Sequence, residues 1–400
     1  MSHSALRNRN YAIYLIGNTI SLHGLWVYRV ALGWFAWELS GSELWVGIVA
    51  FTQFAPAVIF GPIFGVLADR FDRRATSIFI NTGSLLNMFA LGALTATGNI
   101  DILGLVMLSS VQGTLDGAHA PVRMSIVPNL VKPDQLHSAI AFTSVAFNLS
   151  RFVGPAIAGF VIAVWDVATA FLINGVSYVT IIAAMLIVRL NERDDEGTER
   201  KHPWQELIDG ARYAFSHDVI RALLLLVALA SVFGRGALEM LPAFADAVYA
   251  GGPTALATLT SAIGAGAVAA GLALSRGTKW LTVAVVQSAV VAGGVLIVAL
   301  AGIGEFAVAV AIVALLGVIL SICSVGAQIL IQTQVSDSMR GRVSSFWGMI
   351  AFGGTSLGSL IIGASASAWG LQAAVAGAGI VCAIVSLLTL LRRASGASRA

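Results

Sequence analysis

The stretch Gly65-Val-Leu-Ala-Asp69-Arg70-Phe-Asp72-Arg73-Arg74 lies between two long apolar runs and decides how the chain is arranged. It holds five charged residues in ten positions, although only 11% of the chain is charged. Ionised side chains are expensive inside hydrocarbon, so this stretch is predicted to be a tight loop at a membrane surface. Because arginines collect in cytoplasmic loops, Arg70, Arg73 and Arg74 are expected on the cytoplasmic side.

The composition of the 400 residues is that of a membrane protein. Of these residues 58% are hydrophobic and 42 are glycine, which lets membrane helices pack closely. The net charge of +3 does not indicate nucleic-acid binding, because the basic residues are spread over short loops between apolar runs. Cys323 and Cys382 have no ligand-type neighbours, so neither a metal site nor a disulfide is expected. No cofactor is expected, and no catalytic motif supports an enzyme.

Twelve apolar runs are long enough to cross a bilayer, which takes about 20 helical residues. They cover 10–40, 44–67, 75–97, 101–123, 136–164, 166–189, 218–246, 253–275, 280–302, 306–333, 342–368 and 371–391. The loops on one side carry the arginines and lysines, whereas those on the other side carry acids such as Glu43, Asp101, Asp166 and Glu305. By the positive-inside rule, the chain is a multi-pass protein with both termini in the cytoplasm.

One sustained polar segment, residues 191–217, divides the chain into two predicted six-helix halves, 1–190 and 218–400. Between 204 and 215, apolar residues recur at helical spacing beside charged ones, which predicts an amphipathic helix at the cytoplasmic interface. A disordered linker is the alternative, and it is preferred for 192–202. A weak internal repeat supports the division into two halves.

Polar residues form a stripe on the fourth span, where Gln112, Asp116, His119 and Arg123 recur at helical spacing. Such a stripe faces either a water-filled cavity or partner helices, because lipid does not solvate it. Asp116 and His119 are candidates for carrying protons, and Gln112 is a candidate for lining a substrate cavity. The alternative for Asp116 is a structural salt bridge to Arg123 or Arg151, and Arg123 can simply snorkel to the interface.

The seventh span carries Ser231, Arg235 and Glu239 at successive i,i+4 steps. Arg235 and Glu239 can pair along their own helix, which is the structural interpretation of these residues. Glu239 is also a candidate proton carrier, and Arg235 a candidate for the substrate cavity. The internal repeat matches Glu239 with Arg29 of the first span, so these opposite charges are hypothesised to meet across a central cavity.

Further candidates for the substrate cavity are polar or aromatic residues within apolar spans. They are Asn18, His23, Trp26 and Arg29 in the first span, Asn148 and Arg151 in the fifth, and Gln328 and Gln332 in the tenth. A single histidine in a membrane helix is often a packed core residue, and the glutamines can equally satisfy contacts between helices. In the fifth span, Gly154, Pro155 and Gly159 predict a deformable hinge, because proline frees a carbonyl and glycine permits close contact.

The charged loop resembles the loop between helices 2 and 3 of the major facilitator superfamily, whose pattern is Gly-x-Leu-Ala-Asp-Arg-x-Gly-Arg-Arg. The matching residues are Gly65, Leu67, Asp69, Arg70, Arg73 and Arg74. Asp72 stands where the family usually has glycine. The resemblance implies that Asp69 pairs near the start of helix 11, and that Arg70 and Arg73 complete a cytoplasmic charge lock.

Longer stretches are similar to the branch of this superfamily that holds enterobactin exporters and macrolide-efflux proteins. They include Ala120-Pro121-Val-Arg123, Asn148 through Pro155, and Leu241-Pro242-Ala-Phe244-Ala245. The resemblance implies an all-α integral membrane fold of twelve transmembrane helices in two pseudo-symmetric six-helix bundles. It also implies alternating access and export driven by the proton gradient across a bacterial inner membrane.

The sequence therefore predicts a proton-coupled exporter of a small amphiphilic organic molecule, either a siderophore or a drug-like compound. Arg29, Arg151 and Arg235 outnumber the two acids of the spans, Asp116 and Glu239, which tilts the prediction slightly towards an anionic substrate. Expected partners are the substrate, protons and the lipid bilayer, and the chain is expected to be monomeric. The open alternatives are a proton-coupled or facilitative importer, a lipid flippase, and a non-transporting receptor of the same fold.

Overall fold

The computed structural model describes residues 4–190 and 203–397, except for the side chains of residues 62, 65–70, 203, 204, 206, 207, 337, 338 and 390–397. This part of the chain is almost entirely helical and contains no strand. The reason is physical: a backbone in hydrocarbon must satisfy its own hydrogen bonds, which a helix does within one segment. The predicted all-α membrane architecture is confirmed.

Thirteen helices form this described part of the chain. They are α1 (Arg9–Ser40), α2 (Glu43–Arg70), α3 (Arg73–Ala96), α4 (Ile102–Leu130), α5 (Leu136–Val164), α6 (Val167–Ile187), α7 (Pro203–Ser216), α8 (Asp218–Val248), α9 (Gly252–Ser275), α10 (Val283–Gly302), α11 (Phe306–Gln334), α12 (Asp337–Trp369) and α13 (Leu371–Ala397). Except for α7, each corresponds to one of the twelve predicted runs. The short α7 covers the segment that was expected to be amphipathic.

Ten of the helices in the described ranges are both long and apolar enough to cross a membrane. The other two long helices, α1 and α4, have 32 and 29 residues, which exceeds the length that a bilayer needs. They carry Arg29, Asp116, His119 and Arg123. These two spans therefore carry several of the charged residues that lie within the bundle.

The end of α4 differs from the prediction, which stopped this span at residue 123. The helix continues to Leu130 and contains both Pro121 and Pro128. Proline lacks an N–H and usually ends or kinks a helix, but neighbouring helices in a membrane bundle can support the freed carbonyls.

Helices α8 and α11 are irregular near their centres. A π-helical turn spans Ala230–Arg235 in α8 and another spans Ile322–Gly326 in α11. A π turn adds a residue to the turn and rotates the side chains that follow it, and such turns are frequent at functional sites. A second π turn, Phe244–Val248, lies at the end of α8. Between the two, the regular helix is interrupted before Pro242, which has no N–H to donate.

The two ends of the bundle differ in charge. We call the end with Glu43, Asp101, Asp166 and Glu305 the acidic end, and the end with Arg73, Arg74, Arg276 and Lys279 the basic end. One continuous hydrophobic core runs along α1–α6 from Tyr11 at the basic end, and towards the acidic end it includes Trp34 of α1 together with Phe244 and Leu256 of α8 and α9. A separate core at the basic end holds only residues from α7 onwards, such as Leu223 and Ile331. Helices α1–α6 and α8–α13 therefore share their packing mainly at the acidic end.

Small residues let these two sets of helices approach each other closely. Ser359 of α12 donates a hydrogen bond of 3.3 Å from its Oγ to the carbonyl oxygen of Gly47 in α2. The Oγ of Ser356 donates to the carbonyl oxygen of Phe51, at 3.0 Å. A methyl group added at Gly47 would lie 2.5 Å from the Ser359 carbonyl oxygen. Close contacts of this kind are typical of membrane helices that pack through glycine and serine.

The charged loop lies at the basic end, between α2 and α3. Asp72 caps α3, since its Oδ1 accepts a hydrogen bond of 2.7 Å from the Ala75 backbone N–H. Arg74 donates from Nη2 to the carbonyl oxygen of Leu186 at the end of α6. Aspartate is a favoured N-cap residue, which explains an aspartate where the motif has glycine.

The remaining predictions for this loop concern side chains outside the described set, namely those of Gly65, Asp69 and Arg70. The predicted pairing of Asp69 and the charge lock of Arg70 with Arg73 stay predictions. The linker residues 191–202 also lie outside the described ranges, and the division into two domains at this linker stays a prediction. Beside the loop, α7 packs against α12, where Arg342 and Asp209 approach within 3.8 Å.

Candidate functional site

A cavity of about 180 Å³ lies near the middle of the bundle, between α1–α6 and α8–α13. Helices α1, α2, α5, α8, α9, α11 and α12 line it. Trp26, Arg29, Arg151 and Arg235 lie on its wall, and so does the proton-carrier candidate Glu239. The remaining wall is mostly apolar, with Gln53, Thr260 and Thr355 as its other polar members. Concave, mostly apolar pockets with a few convergent polar groups are the usual form of a small-molecule site.

Trp26 is contacted by two guanidinium groups. The Cζ atom of Arg29 lies 5.0 Å from the centroid of its indole, and the Cζ atom of Arg151 lies 5.7 Å from it. Arg29 also lies over the ring of Phe54 in α2, at 5.3 Å. Aromatic faces attract cations through their quadrupole, and the interaction is worth about 0.5–2 kcal/mol depending on desolvation. The rings of Trp26 and Phe54 thus stabilise the guanidinium groups of Arg29 and Arg151 beside the cavity, and both groups keep their positive charge.

The ion pair that Arg235 and Glu239 could form along their own helix is not present. In the described part of the chain, no carboxylate–guanidinium contact within 4.0 Å involves either residue. The backbone step between them is regular, since the Glu239 N–H donates to the Arg235 carbonyl oxygen at 3.3 Å, so i,i+4 spacing alone does not bring the two side chains together. Among charged groups, Arg29 and then Arg235 act most strongly on Glu239. Glu239 therefore lies in the field of arginines from both sets of helices.

Arginines from both sets of helices line the same cavity. The charged group that acts most strongly on Arg151 of α5 is Arg235 of α8, followed by Arg29. Neither the Arg151 nor the Arg235 guanidinium has a hydrogen bond or an ion pair in the described residues. Three arginines and one glutamate face this space, so its walls carry a net positive charge.

Asp116 does not reach the cavity and lies in a polar network among α3, α4 and α6. Its Oδ1 accepts a hydrogen bond of 3.0 Å from Nε2 of Gln112. The same Nε2 lies 3.0 Å from the Tyr178 hydroxyl and 3.3 Å from the Ser84 hydroxyl, and Asn87 donates to Gln112 Oε1 at 3.2 Å. No salt bridge to Arg123 or Arg151 within 4.0 Å is present among described residues. The polar stripe of α4 therefore faces partner helices.

His119 belongs to the same interior surface of α4. Its Nε2 lies 3.2 Å from Nδ2 of Asn81 in α3, and Asn81 in turn donates to the Ser77 carbonyl oxygen at 2.7 Å. Among charged groups, Arg29 acts most strongly on Asp116, and Arg123 acts on both Asp116 and His119. Arg29 is thus the arginine that links Asp116 electrostatically with Glu239.

Six of the predicted cavity residues lie outside this cavity. They are Asn18, His23, Gln112, Asn148, Gln328 and Gln332. His23 uses Nδ1 to contact the carbonyl oxygen of Thr19 at 2.8 Å and the hydroxyl of Ser150 at 3.0 Å, so it holds α1 against α5. Asn148 donates to the Ser144 carbonyl within its own helix. A residue on the same helix as a cavity residue can therefore point away from the cavity.

The predicted hinge in α5 borders the cavity. Pro155 is part of the cavity wall. Gly154 packs against Trp26, and Gly159 packs against Ala257 of α9. These contacts leave no room for a side chain at either glycine, so a structural reason for both glycines is close helix packing.

The α2 face of the cavity was not among the predicted residues. Val46, Val49, Ala50, Gln53 and Phe54 line it. Their spacing of i, i+3, i+4, i+7 and i+8 is the signature of one helical face, and Gln53 is a polar residue within that apolar run. Phe54 stacks across the cavity on Phe352 of α12, with ring centroids 6.4 Å apart. A search for polar residues alone passes over such a face.

The family model described as "transmembrane secretion effector" matches residues 1–398. The chain belongs to this family of the major facilitator superfamily. It is therefore a membrane transporter and not an enzyme, as the sequence predicted. The superfamily resemblance seen in the charged loop is confirmed.

Several relatives of the chain are named as transporters of siderophores or macrolides. The chain is 25% identical over 354 residues to a staphyloferrin A transporter of Staphylococcus aureus, covering 87% of each chain. It is 22% identical to an enterobactin exporter of Escherichia coli over 386 residues, covering 93% of this chain and 84% of the relative. A macrolide efflux protein of Streptococcus pyogenes is 24% identical over 184 residues, which are 45% of this chain and 44% of the relative.

Solved transporter structures share the fold. A nucleoside transporter in a mutant form superposes with a TM-score of 0.74 at 11% identity, covering 95% of this chain and 99% of that one. An inward-facing bacterial homologue of the human lysosomal transporter Spinster gives a TM-score of 0.70 at 14% identity, covering 97% and 96%. At such low identity these structures support the fold alone.

Proposed function

We propose that the chain is a proton-coupled exporter that carries a small organic molecule by alternating access. The observation that supports this most is the central cavity, which lies between the two sets of helices and carries both an acid and three arginines. Substrate sites of such transporters lie near the bilayer midplane between two repeats. The names of the siderophore and macrolide transporters among the relatives agree with a siderophore or drug-like substrate.

The proposed orientation in the membrane follows from the charges at the two ends of the bundle. The basic end carries the loop with Arg73 and Arg74, so it is proposed to face the cytoplasm of a bacterial cell, with both termini on that side. The two sets of helices share one core at the acidic end, whereas at the basic end the core of α1–α6 and the core from α7 onwards are separate. With this orientation, the shared core seals the side that faces away from the cytoplasm, and the chain is proposed to work as a monomer.

Substrate binding requires a wider cavity than the present one. Pockets for drug-sized ligands have volumes of about 300–1,000 Å³. The cavity between the helices, at about 180 Å³, is smaller than these pockets. The π-helical turns of α8 and α11 lie beside the wall residues Arg235 and Leu320. Rearrangement of these irregular turns is the proposed source of the additional space.

Proton coupling is assigned to Glu239 and Asp116, with His119 as a third candidate. Glu239 lies on the cavity wall, Asp116 lies behind it, and Arg29 acts strongly on both. When one of the two carboxylates takes up a proton, it no longer attracts Arg29. The Arg29 guanidinium then moves towards the carboxylate that is still ionised. Because Arg29 lies on α1, this exchange links protonation to a movement of α1 relative to α4 and α8.

The decisive experiment is transport by the purified chain in proteoliposomes with an imposed pH gradient. A panel of siderophores and amphiphilic drugs is offered to the wild type, to Glu239→Gln and to Asp116→Asn. Proton movement that occurs only with a transported compound, and that disappears in one of the variants, supports the proposal.

The same experiment separates the alternatives. Uptake along the proton gradient would indicate an importer, and movement of labelled lipid without the panel compounds would indicate a flippase. Binding of a compound without flux would indicate a receptor of the same fold. Proton flux that is unchanged in both variants would remove Glu239 and Asp116 from the mechanism.

A further inference from the structure

We propose that Arg151 and Arg235 form an anion-binding site that spans the central cavity, so that the transported molecule is an organic anion with at least one carboxylate. The proposal rests on the proposed transport function, because it names the substrate class of the same cavity. Its basis is that Arg151 and Arg235 belong to different sets of helices, line one cavity and have no ion-pair partner among the described residues.

The first argument is the lack of a protein partner for either arginine. In the described residues, neither guanidinium donates a hydrogen bond or forms an ion pair within 4.0 Å. Buried charges in proteins are normally paired, because an unpaired one loses its hydration without compensation. A guanidinium also presents its donors in a fork that fits a carboxylate with two parallel hydrogen bonds.

The second argument is the charge of the cavity wall. Glu239 is the single acid among the lining residues, and its charge is shared between Arg29 and Arg235. Arg151 stacks on Trp26 and has Arg235 and Arg29 as its main charged neighbours, both of the same sign. One or two negative charges on a ligand would remove this repulsion, whereas a cationic ligand would increase it.

The third argument is the position of the two arginines in the fold. Arg151 lies on α5 and Arg235 on α8, so one carboxylate held by both would connect the two sets of helices. Trp26 and Phe54 supply aromatic faces on the same wall for an apolar or aromatic part of the ligand. The indole Nε1 of Trp26 is buried and has no hydrogen-bond partner among the described residues. The wall therefore combines anion recognition with an aromatic surface, as an amphiphilic anion requires.

The proposal is tested by binding to the full-length chain in detergent. The probe is phthalate, an aromatic dicarboxylate, and the reference is dimethyl phthalate, the uncharged ester of the same skeleton. Chloride is used to keep the ionic strength equal. Binding is followed by the increase in the thermal unfolding midpoint with ligand concentration.

Phthalate is expected to raise the midpoint of the wild type, whereas the ester at the same concentration has little effect. Arg151→Met and Arg235→Met are expected to weaken phthalate binding at least tenfold. Arg151→Lys keeps the charge without the planar fork, and it is expected to fall between the wild type and Arg151→Met. If Arg151→Met does not fold, Arg151→Lys still tests the role of the Arg151 guanidinium. Arg276→Gln removes an exposed arginine at the end of α9, outside the cavity, and is expected to bind as the wild type does.

Equal effects of phthalate and its ester would overturn the anion site, and so would a phthalate effect that persists in both arginine variants or that is missing in the wild type. These results are independent of the transport measurement. Phthalate binding without any flux of the substrate panel would preserve the anion site and contradict the transport function. Proton-coupled flux of neutral compounds only would preserve the transport function and contradict the anion site.

Discussion

The indole Nε1 of Trp37 donates a hydrogen bond of 2.9 Å to Oδ2 of Asp246. Trp37 lies in the last turns of α1, and Asp246 lies in the π-helical turn that ends α8. The bond joins the two sets of helices at the acidic end, outside the central cavity, so it must break if this end opens during transport. Gly33, four residues before Trp37 on α1, packs against Pro242 of α8 on the cavity side of this hydrogen bond.

The Trp37–Asp246 bond is predicted to stabilise the state that is closed at the acidic end. Asp246→Ala removes the acceptor and is expected to lower the population of this state by about two- to tenfold, as a single exposed hydrogen bond of about 0.5–1.5 kcal/mol allows. Spin labels at Asn99 and Glu305, which are exposed in loops of the acidic end, report the opening as a longer distance. Asp246→Asn is the control, because its amide oxygen can still accept the bond. An unchanged distance distribution in Asp246→Ala would show that the bond does not hold this end.

Close packing of α2 on α12 is predicted to be the stronger restraint at this end. In Gly47→Ala, the new methyl group would lie 2.5 Å from the Ser359 carbonyl oxygen, so the two backbones must separate. Overpacking of this kind costs about 1–3 kcal/mol. The variant is therefore expected to show a longer distance between the same spin labels and slower transport. Gly61→Ala on the same helix is the matched control, since nothing lies within 4 Å of the added group. Similar behaviour of the two variants would contradict the prediction.

The extent of the helices was readable from the sequence, because hydrophobic length reports directly on bilayer thickness. Helix α5 begins and ends at the predicted residues 136 and 164. The end of α4 was missed, since proline predicts a helix end unless neighbours support it. Support comes from tertiary packing, which the local sequence of Pro121 and Pro128 does not show.

It was harder to predict which neighbour each face of a helix contacts than to predict where each helix begins and ends. Periodicity correctly put Gln112, Asp116 and His119 on one stripe, but it does not say which neighbour the stripe meets. Gly113 and Gly117 pack on α2, against Thr52 and Ala57, and thereby turn the polar stripe towards α3 and α6. Spacing along one helix also does not report the charges that other helices bring close: Arg235 and Glu239 keep a regular i,i+4 step and form no ion pair, and Arg29 of α1 lies on the same cavity wall.

Glu239 is predicted to couple protons to transport without being required for binding. Glu239→Gln keeps the shape of the side chain and removes its ability to carry a proton. It is expected to lower substrate-dependent proton flux in proteoliposomes at least tenfold, while binding of an anionic ligand is retained, because the cavity wall becomes more positive. Asp134→Asn, an exposed acid between α4 and α5, serves as the control for a general change of charge. Proton flux that matches that of the wild type would exclude Glu239 as the carrier.

The network around Gln112 is predicted to stabilise helices α3, α4 and α6 as a unit. Gln112 is fully buried, and its amide meets Asn87, Asp116, Ser84 and Tyr178. Gln112→Leu would leave these polar groups without their partner, and each unsatisfied buried group costs about 1–3 kcal/mol. The variant is expected to unfold at a clearly lower temperature in detergent than the wild type.

The matched control for Gln112→Leu is Gln53→Leu on α2. Gln53 lies on the cavity wall, and its side chain has no hydrogen bond among the described residues. The same substitution there is expected to change the unfolding midpoint little, since it leaves no buried group without a partner. Because Asp116 accepts its hydrogen bond from Gln112, Gln112→Leu is also expected to impair proton coupling if Asp116 takes part in it. Equal midpoints for the two leucine variants would mean that the network has no net stabilising effect.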